Sequence, residues 1–123
     1  MKTDITFSMD PLDRDRTVVV LSFSGQLDEM TGDEIFARLS DFLEEKKEEN
    51  FFIFRLSDLE YINSKSIGHL IDSYRKISGR GGKLVFCEVP ENILDILDLV
   101  GVTRVIDIAG SLEAAKVSLL TGE

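Results

Sequence analysis

Phe51-Phe52-Ile53-Phe54-Arg55-Leu56, the polar stretch from Ser57 to Asn63, and Ser64-Lys65-Ser66-Ile67-Gly68 together decide the fold of this 123-residue chain. The first run is short, dense in apolar residues and aromatic, which suits a buried strand better than a helix. Ser57 to Asn63 reads as a polar connection, with Leu59, Tyr61 and Ile62 able to pack beneath it. From Ile67 the period changes: Ile67, Leu70, Ile71, Tyr74 and Ile77 fall on one face of a helix. Ser64 stands where the N-cap of that helix belongs. A buried strand followed by a connection and an amphipathic helix is half of a βαβ unit.

The same alternation extends in both directions. Upstream, Ile5–Met9 reads as a short strand, Asp10–Arg16 as a charged turn, and Thr17–Ser24 as a strand covered on both faces, apolar at nearly every position and ended by Gly25. Thr31 and Glu34 have capping-box spacing, and Ile35, Leu39, Phe42 and Leu43 form the apolar face of the helix that follows, with Glu44–Glu49 as its solvated end. Downstream, Gly79-Arg80-Gly81-Gly82 stops the second helix and Lys83–Val89 reads as a strand. Pro90 opens a helix lined by Ile93, Leu94, Ile96, Leu97 and Val100 and ended by Gly101. Val105–Ala109 reads as a last strand, and Ser111 caps a helix through Leu120. Helical crossovers imply parallel strands, while the short link between the first two allows an antiparallel pair. The expectation is an α/β fold, a mixed and mostly parallel sheet of about four to five strands with four helices, in a single domain over residues 1–123.

Composition narrows the function. With 43% hydrophobic and 30% charged residues and two prolines, the chain has the make-up of a folded protein. A formal net charge of −9 disfavours direct nucleic-acid binding and anionic lipid. No apolar run approaches the ~20 residues that span a bilayer, and Met1-Lys2-Thr3-Asp4 lacks a secretory layout, so the cytoplasm is the expected location and no membrane insertion is expected. The lone Cys87 sits in the apolar run Leu84–Cys87 and reads as a buried small hydrophobe, leaving no disulfide or multi-cysteine metal site within the chain.

Few residues carry chemistry. The glycines at 79, 81 and 82 follow a helix and precede a strand, the reverse of the order a nucleotide cradle needs, and read as a turn. His69 is the only histidine, so no His-rich metal site or catalytic triad is expected; it reads as a surface or half-buried side chain. Asp28 with Glu29, and Asp58 with Glu60, are carboxylate pairs in expected strand-to-helix connections, where α/β sheets present ligands. Ser64, Lys65 and Ser66 stand at a helix N-terminus, where unpaired N–H groups favour an anion, including a phosphoryl group on the serine itself. On physical grounds alone Ser64 is either that acceptor or simply an N-cap.

Four segments in order resemble the STAS family, whose simplest members are bacterial anti-sigma factor antagonists. Gly25-Gln26-Leu27-Asp28-Glu29-Met30-Thr31 resembles the family's G-x-L-D-x-x-T, and Leu56 to Gly68 resembles its L-(S)-x-(V/L)-x-(F/Y)-(I/M)-D-S-S-G-L-G. Gly81-Gly82-Lys83-Leu84-Val85 and Leu97-Asp98-Leu99-Val100-Gly101-Val102 are similar to its G-G-x-L and L-x-L-(T/V)-G-(L/V). The resemblance implies a protein that binds an anti-sigma factor, itself a serine kinase of the histidine-kinase-like ATPase type; with no nucleophile–base constellation in the sequence, no enzyme activity, cofactor or metal is expected. It implies phosphorylation at Ser64, reversed by a metal-dependent serine phosphatase; Ser66, a serine peculiar to this chain, is the second candidate acceptor. It also implies a partner-binding surface of Asp28, Asn63, Ser64 and Lys65. At the switch the chain departs from the pattern: Asn63 replaces aspartate, and Lys65 and Ser66 replace serine and glycine. Asn63 can still hydrogen-bond the loop without a charge, and Lys65 can pair with a phosphate. The alternative expectation is a STAS scaffold or regulatory subunit of a larger complex or transport system, with Ser64 only a cap.

Overall fold

The computed structural model describes residues 2–121. Its elements run β1 (Asp4–Pro11), β2 (Thr17–Leu27), α1 (Gly32–Glu45), β3 (Phe51–Ile62), α2 (Ser64–Gly79), β4 (Lys83–Cys87), α3 (Glu91–Leu99), β5 (Asp107–Ala109) and α4 (Leu112–Thr121), with a 3-10 turn at Val102–Arg104 before β5. The strands lie in the order β1-β2-β3-β4-β5; β1 pairs antiparallel with β2 and the remaining neighbours are parallel. A mixed five-stranded sheet with four helices is therefore the observed α/β architecture.

Alternation along the strands divides the core in two. Leu21 and Phe23 of β2, Phe52 and Phe54 of β3, and Leu84 and Phe86 of β4 face α1, α2 and α3, meeting Ile35, Leu39, Leu70, Ile77, Ile93 and Leu97. Val18, Val20, Ile53, Val85 and Cys87 point to the other face, where Ala115 and Leu119 of α4 cover them. Phe23, Phe54 and Phe86 form a ring ladder across three strands, with centroids 5.2 and 5.6 Å apart, in the tilted or offset range aromatic pairs favour. Burial pushes the Cys87 thiol up to about 11, so it is packing material and not a nucleophile at neutral pH. Among the described residues no helix is long and apolar enough to cross a membrane.

The main departure from expectation lies at the carboxyl ends of β2 and β3. Gly25 does not end β2, and Ser57–Asn63 is not a loop; both strands run on, paired through Gly25–Leu59, Gln26–Tyr61 and Leu27–Ile62. Asp58 and Glu60 are therefore strand residues, exposed along β3 and not in a connection. Register shifts at Ser22–Ser24 and at Gly25–Gln26 break the period of two, so the alternation that would mark a strand is interrupted and its exposed face looks like a polar loop. Leu59 and Ile62 do turn inward, while Tyr61 is 49% exposed. Gly25 makes the bulge: its φ is +85°, and a Cβ there would lie 2.6 Å from the Thr3 Cα.

The remaining differences are local. Thr31 occupies the N-cap position of α1 without a side-chain cap hydrogen bond; its hydroxyl lies 2.6 Å from the Gln26 carbonyl instead, so the capping box with Glu34 does not form. β4 stops at Cys87 because Glu88 adopts φ 55°. Val100, expected on the buried face of α3, is exposed. β5 keeps only Asp107–Ala109, since the 3-10 turn consumes the chain before it. The cap on α4 forms as expected, Ser111 Oγ accepting from the Ala114 N–H at 3.0 Å.

Gly25→Ala should lower unfolding stability by about 2 kcal/mol or more, because an alanine pays the left-handed backbone cost and also meets fixed main chain; equilibrium urea unfolding measures it.

Candidate functional site

The strands that overrun the sheet set the site. At their ends the Asn63 N–H donates to the Leu27 carbonyl at 3.0 Å, tying the start of α2 to the turn that leads into α1. Asn63 is extended, with φ −95° and ψ 172°, and is the N-cap of α2. Its Oδ1 accepts from the Ser66 N–H at 2.9 Å. This corrects the expectation for Ser64, which is the first helical residue and not the cap. The Ser64 side chain is exposed. With the Ser66 N–H taken by Asn63, the N–H groups of Ser64 and Lys65 remain the first-turn donors with no carbonyl partner inside the helix.

Ser66 has the opposite environment. It is 1% exposed, and its hydroxyl points to the Leu27 carbonyl at 3.4 Å. Gly32 packs directly against it: a Cβ on Gly32 would lie 2.4 Å from Ser66 Oγ. The first turns of α1 and α2 thus meet with only a hydroxyl and a glycine between them. Nothing in the hydrophobic pattern singles out Gly32, and only its position at the start of a helix hints at a close approach.

Asp28 builds the neighbouring turn. Its Oδ1 accepts from the Met30 and Thr31 N–H groups, both at 3.0 Å, and lies 2.8 Å from the Thr31 hydroxyl. The Thr31 backbone N–H, then its hydroxyl, hold the Asp28 carboxyl below the usual carboxylate range, with Met30 N–H adding to them. The folded turn pushes Met30 into solvent at 87% exposure, a large apolar side chain at the tip that sequence reading passed over.

Lys65 does not stand free. Its Nζ lies 2.9 Å from Asp33 Oδ2, and His69 Nε2 lies 3.1 Å from Asp33 Oδ1. His69 is half-buried, as expected, with its ring stacked on Phe36 at 4.9 Å. The hydrogen bond from Lys65, followed by that from His69, keeps the Asp33 carboxyl low, and Asp33 in turn raises the Lys65 ammonium. Asp33 escaped sequence reading because it looks like an ordinary first-turn acid of α1. Behind this cluster a groove of about 570 Å³ runs between α1 and α2, lined by Phe36, Ser40, Lys76 and Arg75 among others.

Fold and site together define a helix-backed mixed sheet that presents a capped helix start, an exposed serine and an acidic turn at the ends of its two longest strands. The family model of the STAS domain matches residues 11–115, and the chain belongs to the STAS family. It is 24% identical over 97 residues, covering 79% of this chain and 82% of the relative, to an anti-sigma F factor antagonist from Paenibacillus polymyxa. Among solved structures it is similar to an anti-sigma factor antagonist from Mycobacterium paratuberculosis, with TM-score 0.76, 20% identity and 95% of each chain covered. It is likewise similar to unphosphorylated SpoIIAA, an anti-sigma factor antagonist, with TM-score 0.69, 18% identity and 96% and 98% of the two chains covered. The phosphorylated form of the Bacillus SpoIIAA superposes with TM-score 0.61 at 18% identity, covering 89% and 96%.

Asn63→Ala should cost about 0.5–2 kcal/mol by removing the cap, whereas Asn63→Asp should retain the cap and add a few tenths through its charge at the helix start; thermal unfolding of the three proteins compares them. A second expectation concerns acid. Because the folded Asp28 carboxyl lies below its ordinary value of 3.8, its contribution is present above that pH and is lost as pH falls through the folded value. Asp28→Asn should therefore lose less stability than wild type between pH 6 and pH 3, as measured by urea midpoints at each pH.

Proposed function

We propose that this STAS domain is an anti-sigma factor antagonist that binds an anti-sigma factor of the histidine-kinase-like ATPase type and releases it when Ser64 is phosphorylated by that kinase. A serine phosphatase restores binding. The observation that carries the reading is the freedom of Ser64. Asn63 has taken over the cap, so the Ser64 hydroxyl is exposed on the first turn of α2 and is not needed to hold the helix. Ser66, the second candidate, is buried against Gly32 and the Leu27 carbonyl, beyond the reach of a kinase unless the helix start opens.

The partner surface is the ridge formed by the Asp28–Met30 turn together with Asn63, Ser64 and Lys65. The hydrogen bond between Asn63 and Leu27 supports treating these two loops as one surface. Met30 supplies apolar area at its tip and Asp28 keeps the turn rigid. A phosphate adds about −1.5 to −2 charge to this ridge. A partner shaped around a neutral hydroxyl would have to desolvate that dianion, and a penalty of about 3 kcal/mol is already about a hundredfold in affinity. The role in this reading is the binding of a partner, in keeping with the STAS family.

Capture from host lysate with wild type, Ser64→Ala and Ser64→Asp identifies the ATPase, and calorimetry with the purified partner then quantifies the switch. Ser64→Ala should bind like wild type, and Ser64→Asp about a hundredfold more weakly. Equal affinity for all three would reduce Ser64 to an ordinary first-turn residue and leave a STAS scaffold or regulatory subunit.

A further inference from the structure

Lys65 is held by an acid on another helix, and that acid has a second side-chain partner in His69. We propose, resting on the reading of Ser64 as a phosphoacceptor, that Lys65 is a phosphate-responsive latch: Asp33 holds it while Ser64 is unmodified, and phosphorylation of Ser64 draws it off Asp33 and onto the phosphate.

Three features carry the exchange. The Lys65–Asp33 pair is open to water, with side chains 62% and 54% exposed, and exposed pairs of this kind are weak and readily exchanged. The phosphate would sit on the residue next to Lys65, with about −1.5 to −2 charge and three strong acceptor oxygens against the single charge of a carboxylate. Adjacent side chains on a helix diverge, so the exchange uses the flexible four-carbon stem of lysine, which lets the ammonium swing between the two anions. The third feature is Asp33 itself. His69 Nε2 already lies 3.1 Å from its other oxygen, so the carboxylate keeps a partner when Lys65 leaves. His69 stays in place through its stacking on Phe36.

The consequence reaches past Ser64. Asp33, Lys65 and His69, from the N-terminal halves of α1 and α2, line the groove between those helices. Loss of the ammonium from the groove leaves Asp33 uncompensated by Lys65, so one phosphate changes the charge of two places: the helix start and the groove. A partner spanning both would read the modification twice.

The test places phosphoserine at position 64 by genetic encoding, which needs no kinase, and follows the Asp33 carboxyl ¹³C and Lys65 side-chain ¹⁵N resonances by NMR. Phosphoserine should shift both resonances in the wild-type background and in Lys65→Arg shift the Asp33 carboxyl in the same way, whereas in Lys65→Met the Asp33 carboxyl should stay where the variant alone puts it. An Asp33 shift of equal size in the wild-type and Lys65→Met backgrounds, or a Lys65 resonance unmoved by phosphoserine, would overturn the latch. A host kinase that ignores Ser64 would overturn the switch reading and leave this result untouched.

Discussion

A single hydrogen bond, from the Asn63 N–H to the Leu27 carbonyl, joins the ends of two parallel strands at the point where both chains turn into helices. It closes the last rung of a pairing that carries β2 and β3 well beyond β4. Everything at the site depends on that overrun. It lifts the Asp28 turn and the start of α2 clear of the sheet, and it brings the first turns of α1 and α2 so close that only glycine fits at position 32 beside Ser66. Because the main chain makes the join, side chains on either loop can change without separating them.

The division of labour among the polar residues follows from this geometry. Asn63 caps α2, Asp28 ties its own turn, and Asp33 holds α1 to α2 through Lys65 and His69. Asp28 and Asp33 are thus both engaged by donors, which matters in a chain of net charge −9, where unpaired acids crowded at one edge would repel. Ser64 is the polar residue of the group with no such structural duty. A residue free of structural work can take a charge without costing the fold its cap, and this is the physical sense in which the site suits a modification.

Family membership fits the same picture. The STAS relatives share the fold at low identity, as expected where the core is specified by pattern and volume more than by particular residues. Around the serine this chain has its own chemistry. An amide caps where the family pattern has a carboxylate, and a lysine in place of a small residue reaches across to the neighbouring helix.

Much of this was legible in the sequence. Thr17–Ser24 and Phe51–Leu56 announced their strands because burial on both faces demands apolar residues at nearly every position. The apolar faces of α1 and α2 declared their helices by period, and the order of elements implied a mixed, mostly parallel sheet. Ser64 and Lys65 could be named because they lie at an expected helix start, a position that short-range pattern reveals, whereas Asn63 and the partner-facing role of Asp28 came from the resemblance to the STAS pattern. The ends of β2 and β3 could not be read, since bulges erase the period of two and a strand with one wet face looks like a loop. Which residue caps α2, which serine is buried, and that Lys65 and His69 share Asp33 were also decided only in three dimensions. The cap is a local choice between adjacent polar residues, but the burial of Ser66 and the sharing of Asp33 depend on the distance between helices α1 and α2, which begin about thirty residues apart in the chain, and local sequence carries no record of a distance that packing alone sets.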